Sequence, residues 1–251
     1  MIPKIIHYCW FGRNPLPELA LKCIASWRKF FPDYEIIEWN EDNFDINKIP
    51  YIQQAYSVKK YAFVSDYARF WILYNYGGLY FDTDVEIIKP MDDIINRGPF
   101  MGVEIGATSE TSLVTPSLGL GVNPGLGLGV NPGLGLYKDI LDYYQALSFF
   151  GTDGKPNEIT VVKHTTNVLI KNGLKATNDI QEISGIWIYP ADYFNPLDSL
   201  TGKLKITDNT RSIHWYMNSW SNRSKFYQWL SRMSHRFLGL TINKLKRLLF
   251  K

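Results

Sequence analysis

The sequence has little cysteine: Cys9 and Cys23 are the only two among 251 residues. They form no metal-ligand spacing and no disulfide framework, so a reduced, cytosolic pair is expected. No run of about 18 apolar residues occurs, so no membrane-spanning helix is expected. The first residues, MIPKIIHYCWFGRNP, lack a basic segment followed by an apolar one, which argues against a signal peptide. Acidic residues stop at Asp208, yet Arg211, Arg223, Lys225, Arg232, Arg236, Lys244, Lys246, Arg247 and Lys251 follow. The formal net charge is +3, so the rest of the chain is mildly acidic.

Aromatic residues are plentiful at 15%, within an apolar fraction of 45%. They suit a core built of rings, and equally ring-lined walls for a base or a sugar; composition leaves both open. The length suits one α/β domain, read as residues 1–220, with a tail at 221–251.

KIIHYCWF predicts a buried strand ending at Gly12. NPLPELALKCIASWRKFFP predicts an amphipathic helix with Leu19, Cys23, Ile24 and Trp27 on one face, stopped by Pro32. YEIIEW is a second strand, and this β-α-β opening favours a parallel, doubly wound sheet. Residues 65–76 predict a helix with Ser65 as its N-cap, Asp66 at the positive end of the dipole, and Gly77 and Gly78 at its end. LYFDTDVEII reads as one strand closed by Pro90, and FMGVE as another. GLGVNPGL occurs in tandem at 119–126 and 127–134. Its Asn-Pro-Gly turns predict a duplicated hairpin-like loop, with a mobile flap as the functional alternative. LYKDILDYYQALSFF and TTNVLIKNGL predict helices, IWIYPADYFNP a strand and a turn, and RSIHWYMNSW the last strand.

Alternation in a strand puts Asp82, Asp84 and Glu86 on one face, with Cα atoms of the first two about 7 Å apart. Neighbouring carboxylates repel, and a hard cation relieves them. The spacing alone says little, because fifteen aspartates in 251 residues give about one Asp-x-Asp by chance. Its place at the end of an apolar strand, where α/β sheets bind ligands, says more. The preceding helix is apolar on most sides, and Asp66 and Arg69 share a face. They are either a buried ion pair that orients the helix or a pair that reaches hydroxyls of a polar ligand. His214 either completes an oxygen and nitrogen shell around a cation or is a satisfied core histidine. Trp10 is open in the same way, and His7 reads as structural.

SDYARFWILYNYGGLYFDTDVE resembles the sugar-binding region of glycosyltransferase family 32, through Ser65-Asp66, Ala68-Arg69, Tyr74, Gly77-Gly78, Tyr80, Asp82, Asp84 and Val85. IPKIIHYCWFG resembles the family's first strand, and IHWYMNSW its closing His and Ser-Trp element. The resemblance implies a GT-A-like nucleotide-sugar-binding fold, α/β with a mostly parallel sheet flanked by helices. It implies a retaining hexosyltransferase with Mn²⁺ or Mg²⁺ and a UDP- or GDP-sugar donor. The catalytic set it implies is Asp66, Arg69, Asp82 and Asp84. Asp84 would ligate the metal directly, and Asp82 would reach ribose or donor-sugar hydroxyls and the metal's water. Asp66 and Arg69 would hold the donor sugar. Trp10 and the backbone at Cys9 and Phe11 would flank the base, while His214, Ser219 and Trp220 would close over metal and diphosphate. The tandem repeat falls where the family has one short strand and loop.

The acceptor would be a growing or lipid-linked surface glycan such as capsular polysaccharide. Residues 222–251 mix apolar and basic side chains, which suits either an anionic membrane surface or a basic amphipathic helix packed on the domain. A cytoplasmic protein, peripheral at the inner face of the membrane, is the expectation, with no nucleic-acid partner. Two other classes fit less of the sequence. A haloacid-dehalogenase-like phosphohydrolase wants Thr or Val where Glu86 stands. A non-catalytic sugar- or nucleotide-binding module has no need of so complete a set of charged residues.

Overall fold

The computed structural model describes residues 2–105, 120–123, 128–130, 135–175, 177, 179–199 and 201–217. The opening β-α-β unit is β1 (Ile5–Cys9), α1 (Glu18–Phe30) and β2 (Glu35–Trp39), with β1 and β2 parallel. Two helices follow, α2 (Pro50–Ser57) and α3 (Tyr61–Tyr76), then the short strands β3 (Gly78–Tyr80) and β4 (Val85–Ile87). Next come α4 (Asp92–Arg97), β5 (Phe100–Ile105), β6 (Leu120–Asn123), β7 (Leu128–Val130), α5 (Gly135–Gln145) and α6 (Val161–Lys171). The described chain closes with β8 (Gln181–Ile183), β9 (Ile186–Tyr189), α7 (Ala191–Phe194) and β10 (Ser212–His214).

The main sheet runs β2-β1-β3-β7-β5-β9-β8, with β6 paired to β5. β1 is parallel to β2 and β3, and β5 is parallel to β9; β6, β7 and β8 add antiparallel pairings. β7 is antiparallel to both β3 and β5, so β1, β3 and β5 run the same way. Their C-terminal ends therefore share one edge of the sheet, where open α/β folds bind ligands.

Alternation along the strands divides the core into two layers. His7, Cys9, Tyr80, Met101 and Val103 face α3, α5 and α6. Ile6, Tyr8, Leu79, Phe81 and Phe100 face α1 and α7. In the second layer Trp27 is fully buried and its Nε1 donates to the Val85 carbonyl at 2.8 Å, which fixes α1 against β4. Its neighbours on the buried face are Ala20, Cys23 and Ile24, with Leu19 half-buried. Both cysteines are free and buried.

His7 is a structural residue. Trp39 Nε1 donates to its Nδ1 at 3.0 Å, which leaves Nε2–H to donate to the Gly77 carbonyl at 3.0 Å. Burial holds its pKa down at about 4. Gly77 ends α3 with φ +66, and a Cβ on Gly78 would lie 2.7 Å from the Ile5 carbonyl oxygen. The close helix-to-strand turn thus needs glycine at both positions.

Two local expectations are corrected. Helix α3 begins at Tyr61 with Lys60 at the N-cap, so Ser65 and Asp66 are interior. Ser65 Oγ bonds back to the Tyr61 carbonyl at 3.2 Å, and burial of Phe63 and Val64 extends the helix backwards. The run LYFDTDVEII is not one strand: it breaks after Tyr80, leaves the main sheet, and resumes at Val85 paired with β10. The expected Asn-Pro-Gly turns of the tandem repeat fall mostly outside the described residues. Its two copies each contribute the same Leu-Gly-Val segment as a strand, and both pair with β5. Ser219, Trp220 and the tail at 221–251 lie outside the described residues.

Candidate active site

The break between β3 and β4 creates the site. The Val85 N–H donates to the Asp82 carbonyl at 3.0 Å, closing a turn at Asp82–Val85. An extended strand would have pointed Asp82, Asp84 and Glu86 in one direction; the turn does not. Glu86 accepts from Lys22 Nζ at 2.9 Å and from Trp215 Nε1 at 2.8 Å, away from the other two. Asp82 and Asp84 converge, with His214 as a third member, and one potential ligand atom from each lies within 4.8 Å of the others.

Asp84 joins this turn to β10. Its Oδ1 lies 3.1 Å from His214 Nε2, its Oδ2 accepts the Met217 N–H at 2.7 Å, and its carbonyl accepts the Trp215 N–H at 2.9 Å. Burial alone would raise its carboxyl pKa, but His214 and the Met217 amide hold it below the ordinary value. Burial likewise disfavours charge on His214, yet the Asp84 carboxylate raises its pKa to about 9. A divalent cation fits this donor set: two carboxylates and an imidazole at one point, drawn together although like charges repel.

On the other side stands Arg69, 3% exposed. Its Nη2 lies 3.0 Å from Asp66 Oδ1 and 3.2 Å from Asp82 Oδ1, its Nε donates to the Ser65 carbonyl at 3.1 Å, and it lies 5.0 Å over the Tyr80 ring. The Tyr80 hydroxyl donates to Asp82 at 3.2 Å. Asp66 also takes a backbone hydrogen bond from Val161 at the start of α6. Burial raises the Asp66 carboxyl to about 7 against the pull of Arg69. Burial also raises Asp82, with Arg69 opposing and Asp84 adding to the shift. Of the two sequence alternatives for Asp66 and Arg69, the buried ion pair is present, and Arg69 extends it to Asp82.

The strand β1 brings Cys9, Trp10 and Phe11 to the same edge. The Cys9 and Phe11 side chains are buried. Burial pushes the Cys9 thiol up to about 12, so it is no thiolate nucleophile. Trp10 is half-buried, and its Nε1 donates to the Asn14 carbonyl at 2.6 Å.

Sequence reasoning missed Tyr216, Asn195 and Glu104. The Tyr216 ring lies 4.2 Å from the His214 ring, and its hydroxyl takes a bond from Asn195 Nδ2 at 2.5 Å. The same hydroxyl hydrogen-bonds the Glu104 carboxylate. A signal was present only for Tyr216, which sits inside the closing IHWYMNSW element.

The glycosyltransferase sugar-binding region containing the DXD motif matches residues 17–101. Asp82-Thr83-Asp84 is its motif here. Inositol phosphoceramide mannosyltransferase 1 of Schizosaccharomyces pombe is 31% identical over 111 residues, which cover 40% of this chain and 33% of that protein. The match therefore spans about a third of that relative's length. An uncharacterized glycosyltransferase of Acanthamoeba polyphaga mimivirus is 26% identical over 201 residues, 78% of this chain and 76% of its own. The crystal structure of a glycosyltransferase involved in the glycosylation of the major capsid of PBCV-1 matches with a TM-score of 0.50 at 11% identity. It covers 86% of this chain and 95% of that one. The last likeness is one of fold, and it agrees with the GT-A-like α/β architecture. Among the described residues no helix is long and apolar enough to cross a membrane.

Proposed function

We propose that this protein is a metal-dependent glycosyltransferase that moves a hexose from a nucleoside-diphosphate sugar to a hydroxyl of a glycan or lipid-linked glycan. The observation that carries the proposal is the convergence of Asp82 and Asp84, inside the family-matched stretch, with His214 from outside it, at the C-terminal edge of the sheet. Asp82, Asp84 and His214 would hold Mn²⁺ or Mg²⁺. The cation, when bound, offsets charge on the departing diphosphate as a Lewis acid. The chain's own residues do the rest. Arg69 supplies fixed positive charge beside Asp82, and Asp66 orients it. Asp66, Arg69 and Asp82 line the place of the donor sugar. Trp10 and the backbone at Cys9 and Phe11 would flank the base, and Ser219 and Trp220 would contact the diphosphate.

The family match favours transfer over the phosphohydrolase reading, and the complete charged set favours an enzyme over a binding module. We infer retention of anomeric configuration, a cytoplasmic location, and attachment of residues 222–251 to an anionic membrane face, where each Lys or Arg contributes about 1 kcal/mol. The relatives' names support a lipid-linked acceptor. Incubation with UDP-glucose, UDP-galactose and GDP-mannose, with and without Mn²⁺, tests the reading. Mn²⁺-dependent cleavage of one donor is expected; release of phosphate from a monoester instead would overturn it.

A further inference from the structure

We infer that Glu86 and Trp215 are positioning residues for Asp84: they hold the chain after β10 so that the Met217 amide keeps one Asp84 oxygen, which leaves the other for the cation. The inference rests on the cation-binding reading above. It gives a role to Glu86, the third acid after Asp82 and Asp84 in the sequence.

Glu86 is turned away from the cation group, yet it is no free surface acid. Its side chain is 17% exposed, and its Oε2 accepts from both Lys22 Nζ at 2.9 Å and Trp215 Nε1 at 2.8 Å. The Lys22 ammonium also lies 5.4 Å from the centre of the Trp215 ring. Lys22 belongs to α1, and this helix holds β4 at two further points. Trp27 Nε1 donates to the Val85 carbonyl, and Ser26 Oγ accepts the Ile87 N–H at 2.9 Å. Glu86 is therefore fixed to a packed helix, and its charged oxygen fixes Trp215 in turn.

Register explains why Trp215 is the residue reached. β10 is antiparallel to β4, with His214 opposite Val85 and Ile213 opposite Glu86. Side chains alternate, so Trp215 shares the Glu86 face and His214 points to the other. Trp215 is thus held twice, by its indole on Glu86 and by its backbone N–H on the Asp84 carbonyl at 2.9 Å.

The next two residues show what this hold supports. Tyr216 has φ +51, a left-handed conformation uncommon for a bulky residue and one that gathers at functional sites. The turn brings the Met217 N–H to Asp84 Oδ2 at 2.7 Å, and Asp84 Oδ1 is then the oxygen beside His214 Nε2 at 3.1 Å. Such a backbone conformation persists only where its surroundings hold it. The Tyr216 hydroxyl is held by Asn195 on one side, and Glu86 holds Trp215 on the other. Without the indole anchor the turn relaxes, the amide leaves Asp84, and the carboxylate can rotate. This is the action of an outer partner that orients a metal ligand. Glu86 and Trp215 touch neither donor nor cation in this role.

The test is the calorimetric Mn²⁺ affinity of the full chain in the presence of UDP or GDP, with a melting temperature for each variant. Glu86→Ala and Trp215→Phe are expected to weaken Mn²⁺ binding about tenfold, whereas Glu86→Gln, which keeps an oxygen for the indole, stays within about threefold of wild type. Ser26→Ala removes a tie between α1 and β4 that does not pass through Trp215. It is expected to lower the melting temperature and leave Mn²⁺ affinity unchanged. Should Trp215→Phe fail to fold, the two Glu86 variants decide. Unaltered affinity in Glu86→Ala or in a folded Trp215→Phe overturns the assignment. So do equal losses in Glu86→Ala and Glu86→Gln, or an equal loss in Ser26→Ala. Each of these leaves the cation reading standing. A wild type that binds no Mn²⁺ overturns that reading, and this assignment with it.

Discussion

The α3 wall of the site and its β10 wall are assembled differently. On the first, Asp66, Arg69 and Asp82 lie on one helix and the turn that follows it, and Arg69 bonds both carboxylates. On the second, Glu104, Asn195, His214 and Tyr216 come from the end of β5, the end of α7, and β10 with the residues after it. The first wall is held by a local ion pair, and the second by sheet register and one strained tyrosine. A local wall can be disturbed by a single charge change. A register-built wall can be disturbed from a distance.

The largest expected effect belongs to the α3 wall. Arg69→Met leaves buried Asp66 and half-buried Asp82 without their shared cation, at an expected cost of about 3 kcal/mol in urea unfolding. Adding Asp66→Asn should restore part of that loss. A negligible cost would show that the two carboxyls are neutral in the fold and that this wall is not held by charge.

Asp84 links the walls, so Asp84→Asn should weaken both metal binding and donor cleavage at least about a hundredfold. Unchanged Mn²⁺ affinity would separate Asp84 from the cation.

His164 lies behind the α3 wall, on α6, whose first residue bonds Asp66. It is buried, accompanied by the Tyr143 hydroxyl at 3.0 Å, and burial lowers its pKa to about 4 from 6.5. The folded state therefore binds a proton less readily than the unfolded chain. Stability from this group is complete above pH 6.5 and is lost as pH falls toward 4. Relative to His164→Gln, the wild type should lose up to about 3 kcal/mol over that window. A difference of opposite sign in melting temperature against pH would mean a charged His164.

The smallest effect addresses the β10 wall from beneath. Gly102→Ala forces Phe194 to move, at about 1–3 kcal/mol, and shifts Asn195 with it. The expected readout is weaker Mn²⁺ binding, carried through the Asn195–Tyr216 bond. Unchanged Mn²⁺ affinity would erase the distinction between the walls.

What could be read from sequence follows the same division. Asp66, Arg69, Asp82 and Asp84 were legible because helical and short-range spacing brings them together whatever the rest of the chain does. The first three elements were legible from periodicity. The N-cap at Ser65 failed because buried Phe63 and Val64 draw the helix back to Tyr61. The single strand through Asp82 failed because pairing with β10 pulls Val85–Ile87 out of the main sheet, a long-range effect with no local signature. Glu104 and Asn195 were illegible for the same reason. Nothing near either residue in sequence indicates that α7 packs on Gly102. His214 was legible only through the family's closing element.

The most direct measurement is a calorimetric Mn²⁺ titration of the full chain in the presence of UDP or GDP, with Asp84→Asn and His214→Ala alongside. One saturable cation per chain, lost in both variants, is the predicted result. Mn²⁺ bound equally well by wild type and variants, or by none of them, would contradict the account.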